Sequence, residues 1–387
     1  MRILHVSHTS QRGGAELALV RLLSSEPQWR ASVCTPAGGD AFDGLPARGV
    51  LVQRDLPTMP GGGTRGKSPT LAAKYLAALR ASARTLRSSP LMRGADLLHA
   101  NSAAAAIVCA LANRGRAVPL VVHLRDLVSV ESLGRFGFEA FTRIGLVRAD
   151  GVIANSLTTM RSAEDRLDAR VRRVVLQSPS GVSRRVSRPA VDERVRTIGM
   201  IGRLQPWKGQ HVFLEAFART FGGTHVKALL AGAPLFGETA YEQQLRAQAA
   251  QLGIADQVVF LGHVEDVPAF VESVDVLVHA STRPEPLGQS VLQGLAYAKP
   301  VIATEGGGPS EWIESGTNGL LVPPGSAEAL AMALWTLADS RELRVRLASG
   351  AARTPGILTD DECVTAHATF FSTVLDIHTS ADRRHPR

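Results

Sequence analysis

Cysteine is nearly missing from this sequence: its three residues, Cys34, Cys109 and Cys363, lie far apart and are odd in number. No disulfide framework and no metal-ligand spacing can be built from them, a pattern that fits a reducing compartment. Aromatics make up only 5% of the chain, without a stacking platform or recognition motif, which argues against nucleic acid as a partner. The longest uncharged apolar run, Ala103 to Ala112, is about half of what a bilayer span needs. The N-terminal MRILHVS is interrupted by His5 and Ser7 before a signal-type apolar core can form, so a cytoplasmic protein is expected. The glycine-bearing turn after the first strand, Thr9 to Gly14, is neither GxGxxG nor a P-loop, so neither the dinucleotide fingerprint nor the Walker mechanism can be claimed there.

Acidic residues are also lacking between Asp55 and Asp96, where Arg65, Lys67, Lys74, Arg80, Arg84, Arg87 and Arg93 fall. That window reads either as a solvated basic face over a helix or as an attachment to an anionic membrane surface. Leu71, Tyr75, Leu79, Ala83 and Leu86 form an apolar stripe beside the basic one. The net charge of +8 attracts anions without choosing among them.

What is present is a chain of 387 residues, 45% hydrophobic, with a mean hydropathy of +0.05. This composition suits a globular α/β protein of two domains, each of about 150–200 residues. Arg2 to Ser7 reads as a first strand, followed by the turn TSQRGG and a helix over Ala15 to Leu23. Further strands are expected at 31–35, 50–54, 96–100, 120–123 and 151–155. The Pro/Gly-rich stretch from Pro57 to Pro69 is long enough to be a lid or binding loop. A linker, Ser178 to Arg196, precedes a second set of strands at 197–201, 227–231, 258–261, 274–279, 300–303 and 319–322. A final helix is expected over Asp361 to His378, before a frayed end. Strands alternating with helices imply parallel, doubly wound sheets, with ligands beyond the carboxyl ends of the strands. His99, Asn101 and Ser102 stand at one such end, His123, Arg125 and Asp126 at another, and Asn155 with Ser156 at a third.

The stretch from Arg283 to Trp312 is hard to explain as packing alone. It sets Glu285 in a Pro-stiffened loop, then Gly288, an apolar helix pattern, a strand, three glycines and Glu311. A helix N-terminus between polar side chains suits a phosphate, and polar groups at both ends suit a nucleotide sugar. Arg203 and Lys208, in the loop after the second domain's first strand, can meet the charge of a diphosphate.

In this order, GGAE at Gly13 to Glu16, VVHLRD around His123, GRLQPWKG at Gly202 to Gly209, EPLG at Glu285 to Gly288 and GGPSE at Gly307 to Glu311 resemble the retaining GT-B glycosyltransferases of family 4. The resemblance covers nearly the whole chain. It implies two Rossmann-like doubly wound domains facing across a cleft: an acceptor-binding domain over 1–185, a nucleotide-sugar domain over 186–355, and a last helix within 356–387 that crosses back. It implies transfer of a hexose-type sugar, with retention, from a UDP- or GDP-sugar to a small-molecule or lipid-linked acceptor. Catalysis would fall to His123, Glu285, Arg203 and Lys208. The donor would meet Gly14, Arg203, Lys208, His263, Val264, Glu285, Leu287, Gly288, Gln289 and Gln293, and the acceptor Gly13, Asn101, Arg125 and Asp126. With no Asp-x-Asp pair at a plausible site, no metal and no cofactor beyond the co-substrate is expected. One departure stands out: the family's second loop Glu, which grips the ribose, is replaced by Gln293. That replacement keeps a second reading open, a non-catalytic nucleotide-sugar-binding partner protein on the same fold. Peripheral attachment at the inner membrane face is the expectation attached to the basic window.

Overall fold

The computed structural model describes residues 1–60, 69–116, 118–234 and 239–384. Residues 61–68, with Arg65 and Lys67 and most of the expected lid, and residues 385–387 lie outside the described residues. The chain divides into two compact units, one of Met1–Pro179 with Asp360–Arg387 and one of Ser180–Thr359.

Seven parallel strands build the first unit: β1 (Arg2–Val6), β2 (Arg30–Pro36), β3 (Leu51–Leu56), β4 (Leu97–Ala100), β5 (Leu120–Leu124), β6 (Gly151–Ala154) and β7 (Arg172–Val175), in spatial order β3-β2-β1-β4-β5-β6-β7. The inner strands are Val-, Leu- and Ile-rich and buried on both faces, as a helix-covered parallel sheet requires. β7 was not anticipated. Its sequence, RRVV, is exposed at both arginines, so an edge strand here carries no hydrophobic run to betray it. The helix Pro69–Ser88 turns Tyr75, Leu79, Ala83 and Leu86 into the core beneath the sheet. The apolar stripe is thus spent on packing, and only the cationic face of that helix remains for an outside surface.

The last helix, Asp360–Arg384, runs past the expected stop at His378 because no Gly or Pro interrupts it. Val364, Phe371 and Val374 pack with Leu19, Trp29 and Val121 on the other face of the first unit's sheet. Cys34, Cys109 and Cys363 are buried free thiols.

The second unit has six parallel strands, β8 (Thr197–Ile201), β9 (Lys227–Ala231), β10 (Val258–Gly262), β11 (Val276–His279), β12 (Val301–Thr304) and β13 (Leu320–Val322), in order β10-β9-β8-β11-β12-β13. In each sheet the winding direction reverses beside its first strand: between β1 and β4, and between β8 and β11. Loops on the two sides of such a reversal diverge and leave a crevice at the carboxyl ends. No helix among the described residues is long and apolar enough to cross a membrane.

Candidate active site

In the second unit the crevice brings together the loops after β8 and β11. Glu285 is held on both oxygens: Oε1 takes the Lys208 ammonium at 2.6 Å, and Oε2 accepts from His279 Nε2 at 2.7 Å and from the Ser281 hydroxyl at 2.8 Å. The Lys208 and Glu285 side chains are only 18% and 12% exposed. Burial by itself would raise the Glu285 carboxyl, but the charges and hydrogen bonds of Lys208 and His279 overcome it and hold the group well below the usual carboxylate range. The Lys208 ammonium also lies 4.4 Å from the centre of the Trp207 ring.

Two glycines let these loops meet. Gly209, at φ +78, would drive a Cβ to 1.9 Å from the Ala280 carbonyl oxygen, and Gly307, at φ +70, would drive one to 2.1 Å from that of Glu285. Thr282 N donates to the Trp207 carbonyl at 2.8 Å, tying the Lys208 turn to the loop that carries Glu285. His279 and Ser281 escaped the sequence reading. The signal available was their place at the end of β11, four and six residues before a Glu.

The remaining donor-side candidates lie in the same unit, except Gly14, which belongs to the first. Gly288 opens the helix Gln289–Ala296 in a left-handed conformation, and no side chain caps that terminus, so the first amides are not claimed by a cap. Leu287 and Gly288 are buried, Gln289 is half-buried, and Arg203 is half-buried in the β8 loop. Past β10, His263 is exposed, whereas Val264 packs against the core. Gln293 is buried, and its Nε2 donates to the Ser180 carbonyl at 2.5 Å.

In the first unit the crevice between β1 and β4 is lined by buried polar groups. Asn101 accepts from Arg125 Nε at 3.2 Å and from its Nη2 at 2.8 Å, and donates to the Ala15 carbonyl at 3.0 Å. Arg125 also donates to the Ser178 hydroxyl, and its burial pushes the guanidinium down to about 10. Asp126 next to it is exposed. Gly13 and Gly14 begin the helix Gly14–Ser24, and Glu16 lies within its first turn, buried, with Oε1 accepting from Ser7 Oγ at 3.0 Å.

His123 is fully buried near the carboxyl end of β5. His5 and His99 pair across β1 and β4, and His123 lies two residues beyond Val121, the β5 partner of His99. The period of two along a strand therefore puts all three rings on one face, where His367 of the last helix joins them, its ring centre 5.5 Å from that of His123. All four imidazoles are fully buried. Burial lowers each of them, His5 to about 3, His367 to about 4, and His99 and His123 well below the ordinary value, so all four are neutral at pH 7.

Their tautomers follow from one donor. Trp29 Nε1 can only donate, and it lies 3.0 Å from His5 Nε2. His5 thus carries its proton on Nδ1 and donates to His99 Nδ1 at 2.8 Å. His99 then carries its proton on Nε2 and donates to His123 Nδ1 at 3.2 Å. The chain ends in a His123 Nε2–H that has no partner among the described residues. His367 Nδ1 donates to the Cys363 carbonyl at 2.7 Å, leaving its Nε2 as an unpaired acceptor. His123 is therefore a hydrogen-bond donor and is already protonated where a general base would have to be empty.

Comparison with known proteins agrees with this two-unit arrangement of strands. The profile described as "Glycosyl transferases group 1" matches residues 185–354, and the "Glycosyl transferase 4-like domain" matches residues 17–180. The chain belongs to the group 1 glycosyltransferases. As such it is similar to the lipopolysaccharide core biosynthesis glycosyltransferase LpsE of Rhizobium meliloti, at 35% identity over 38% of this chain and 41% of that protein. A D-inositol 3-phosphate glycosyltransferase of Acidothermus cellulolyticus is 28% identical over 66% of this chain and 62% of its own. The matched stretches thus span less than two thirds of either relative. Among solved structures, HepE of Anabaena in complex with UDP and glucose superposes with a TM-score of 0.79 at 27% identity, over 96% of this chain and 100% of that one. The fold of this group 1 glycosyltransferase is GT-B, two Rossmann-like units.

Proposed function

We propose that this chain transfers a hexose-type sugar, with retention, from a nucleoside-diphosphate sugar to a small-molecule or lipid-linked hydroxyl acceptor. The observation that carries the reading is the buried Lys208–Glu285–His279 cluster at the β8/β11 reversal, beside an uncapped helix terminus. A fixed cation next to free amides suits the diphosphate. A carboxylate held on both oxygens in one orientation suits a sugar hydroxyl, which can donate to the lone pair left on Oε1. Lys208 and Arg203 stabilise the negative charge that grows on the leaving diphosphate, and because they are positioned beforehand no reorganisation is needed during reaction. UDP is the nucleoside diphosphate favoured first, since HepE was solved with UDP-glucose at 26% identity to this chain. The acceptor is assigned to the first unit, where Asn101, Arg125 and Asp126 stand beside Gly13 and Gly14.

The test is a thermal-shift panel of UDP-, GDP- and ADP-sugars, followed by turnover with alcohols of varied chemistry. Stabilisation by one nucleotide class together with nucleotide release supports the reading. No shift with any nucleotide refutes it, and a shift without turnover favours a nucleotide-sugar-binding partner protein, the outcome Gln293 would explain. An anionic membrane surface is carried as a partner on charge alone. Lys74, Arg80, Arg84 and Arg93 are exposed and form no ion pair among the described residues, and the apolar stripe beside them is buried.

A further inference from the structure

We propose that Gln210 is a positioning residue for the donor's diphosphate: its side-chain amide holds the backbone at Arg203 and so sets the loop that carries both cations. The role rests on the transferase reading above, and every residue it uses lies within the second unit.

The placement follows from the local chain. Arg203 and Lys208 share one loop, between the end of β8 and the helix Gln210–Phe221. That helix is a fixed support, because Val212, Phe213, Leu214, Ala216 and Phe217 bury its inner face in the unit's core. Gln210 is its first residue and is 1% exposed. Its Nε2 donates to the Arg203 carbonyl at 2.9 Å, across seven residues, and closes the loop at its base. A carbonyl oxygen can only accept, so the amide nitrogen of Gln210 is the atom that must face it. Inside the closure the turn Pro206–Lys208 is tied by Lys208 N to the Gln205 carbonyl at 2.9 Å and by Gly209 N to the Pro206 carbonyl at 3.1 Å. Beyond it, Leu204 N donates to the Ala233 carbonyl at 3.2 Å. The backbone on which Arg203 stands is therefore held by Gln210 from one side and by the loop after β9 from the other.

Stability does not account for a glutamine at this position. Gln210 Oε1 is buried and has no partner among the described residues. An unpaired interior acceptor costs more than a single neutral hydrogen bond returns, so an apolar side chain of similar length would suit the fold as well or better. Helix propensity gives no reason either, since Met matches Gln. What the amide alone supplies is the bond to Arg203. Cations fixed before the diphosphate arrives lose less freedom on binding it. With Gln210 at the base of the loop and the Lys208–Glu285 ion pair of 2.6 Å near its other end, both cations are placed in advance.

The test uses the full chain and whichever of UDP, GDP and ADP raises the wild-type Tm most. Its dissociation constant by calorimetry is compared with that of the matching nucleoside, read by displacement of the diphosphate. Gln210→Met is expected to keep Tm within about 2 °C of wild type or to raise it, to weaken the diphosphate about tenfold, and to leave the nucleoside within about twofold. Gln210→Leu is expected to do the same. A residue that only maintained the fold would lower Tm or prevent folding and weaken both ligands alike, and that result in the two variants overturns the proposal. A cycle with Arg203→Met reads the coupling: the double variant should bind the diphosphate within about twofold of Arg203→Met alone, because the strut has nothing left to position. Fully additive losses overturn the proposal as well. If the wild type binds no nucleotide, the transferase reading falls and this proposal with it; if the wild type and Gln210→Met bind the diphosphate equally, only the Gln210 role falls.

Discussion

Replacing Lys208 by Met keeps the stem of the side chain and deletes its charge, which isolates what the ammonium does for Glu285. In the wild type the carboxylate is compensated on Oε1 by Lys208 and on Oε2 by His279 and Ser281. Removing one partner of a buried pair costs about 3–5 kcal/mol. The two surviving donors bring the expected loss to the low end, about 3 kcal/mol. For a cooperative unit of roughly 180 residues that is about 6–12 °C in Tm. The sign with pH is fixed by the lowered carboxyl: its stabilisation is fully present above the unfolded value of about 4.3 and is lost as pH falls toward the folded value. The gap between wild type and Lys208→Met should therefore be widest at pH 6–8 and narrow steadily in acid. Thermal melts followed by circular dichroism between pH 3 and 8 measure it. A gap of under 1 °C at pH 7, or one equally large at pH 3.5, would falsify the claim that Lys208 holds the buried charge of Glu285.

Other outcomes follow from the same geometry. Gly209→Ala must move the Lys208 turn away from the Ala280 carbonyl, so both Tm and nucleotide affinity should fall together; an unchanged Kd would show the turn does not set the site. Gln293→Glu removes the donor to the Ser180 carbonyl and points a carboxylate at it. A stability loss of about 1–3 kcal/mol by denaturant titration is expected, with nucleotide affinity unchanged or tighter by calorimetry. A lost affinity would take Gln293 out of ribose recognition. Nitrogen-15 spectra of the imidazoles should show His5 protonated on Nδ1 and His99 and His123 on Nε2, and Trp29→Phe should break that pattern. Stability should decline below about pH 6.5, by up to ~1.4 kcal/mol per pH unit for each buried imidazole, because the unfolded chain takes up protons the native one refuses. Co-sedimentation with anionic vesicles, if the basic face meets them, should vanish at high salt; binding that survives would need an apolar contact the buried stripe does not supply.

Much of this molecule was written locally. The inner strands show as short Val/Ile/Leu runs, and the turns after β1 and β8 as glycine clusters, because strand burial and turn geometry each demand a residue type within a few positions. Arg203 and Lys208 stand out in the sequence as charges beside a glycine after a strand, and Glu285 as a carboxylate in a proline-stiffened loop ahead of Gly288. β7 does not, since an edge strand with two exposed arginines has no pattern to read. The two units divide at 179/180 and 359/360, and a linker poor in periodicity marks such a division as a region and not a point.

What only the tertiary structure decided is which side chains meet. Lys208 and Glu285 are 77 residues apart, and their union is made by two loops closing at one reversal of the sheet. The same holds for Trp29, His5, His99 and His123, whose protons are set by a single indole acting through strands distant in sequence. VVHLRD by itself suggested a histidine delivered to the ligand edge; that its ring is fully buried and bonded to His99 is visible only in the fold. Local sequence sets residue type and period, but hydrogen-bond partners, burial and therefore charge state depend on neighbours that the fold alone brings together.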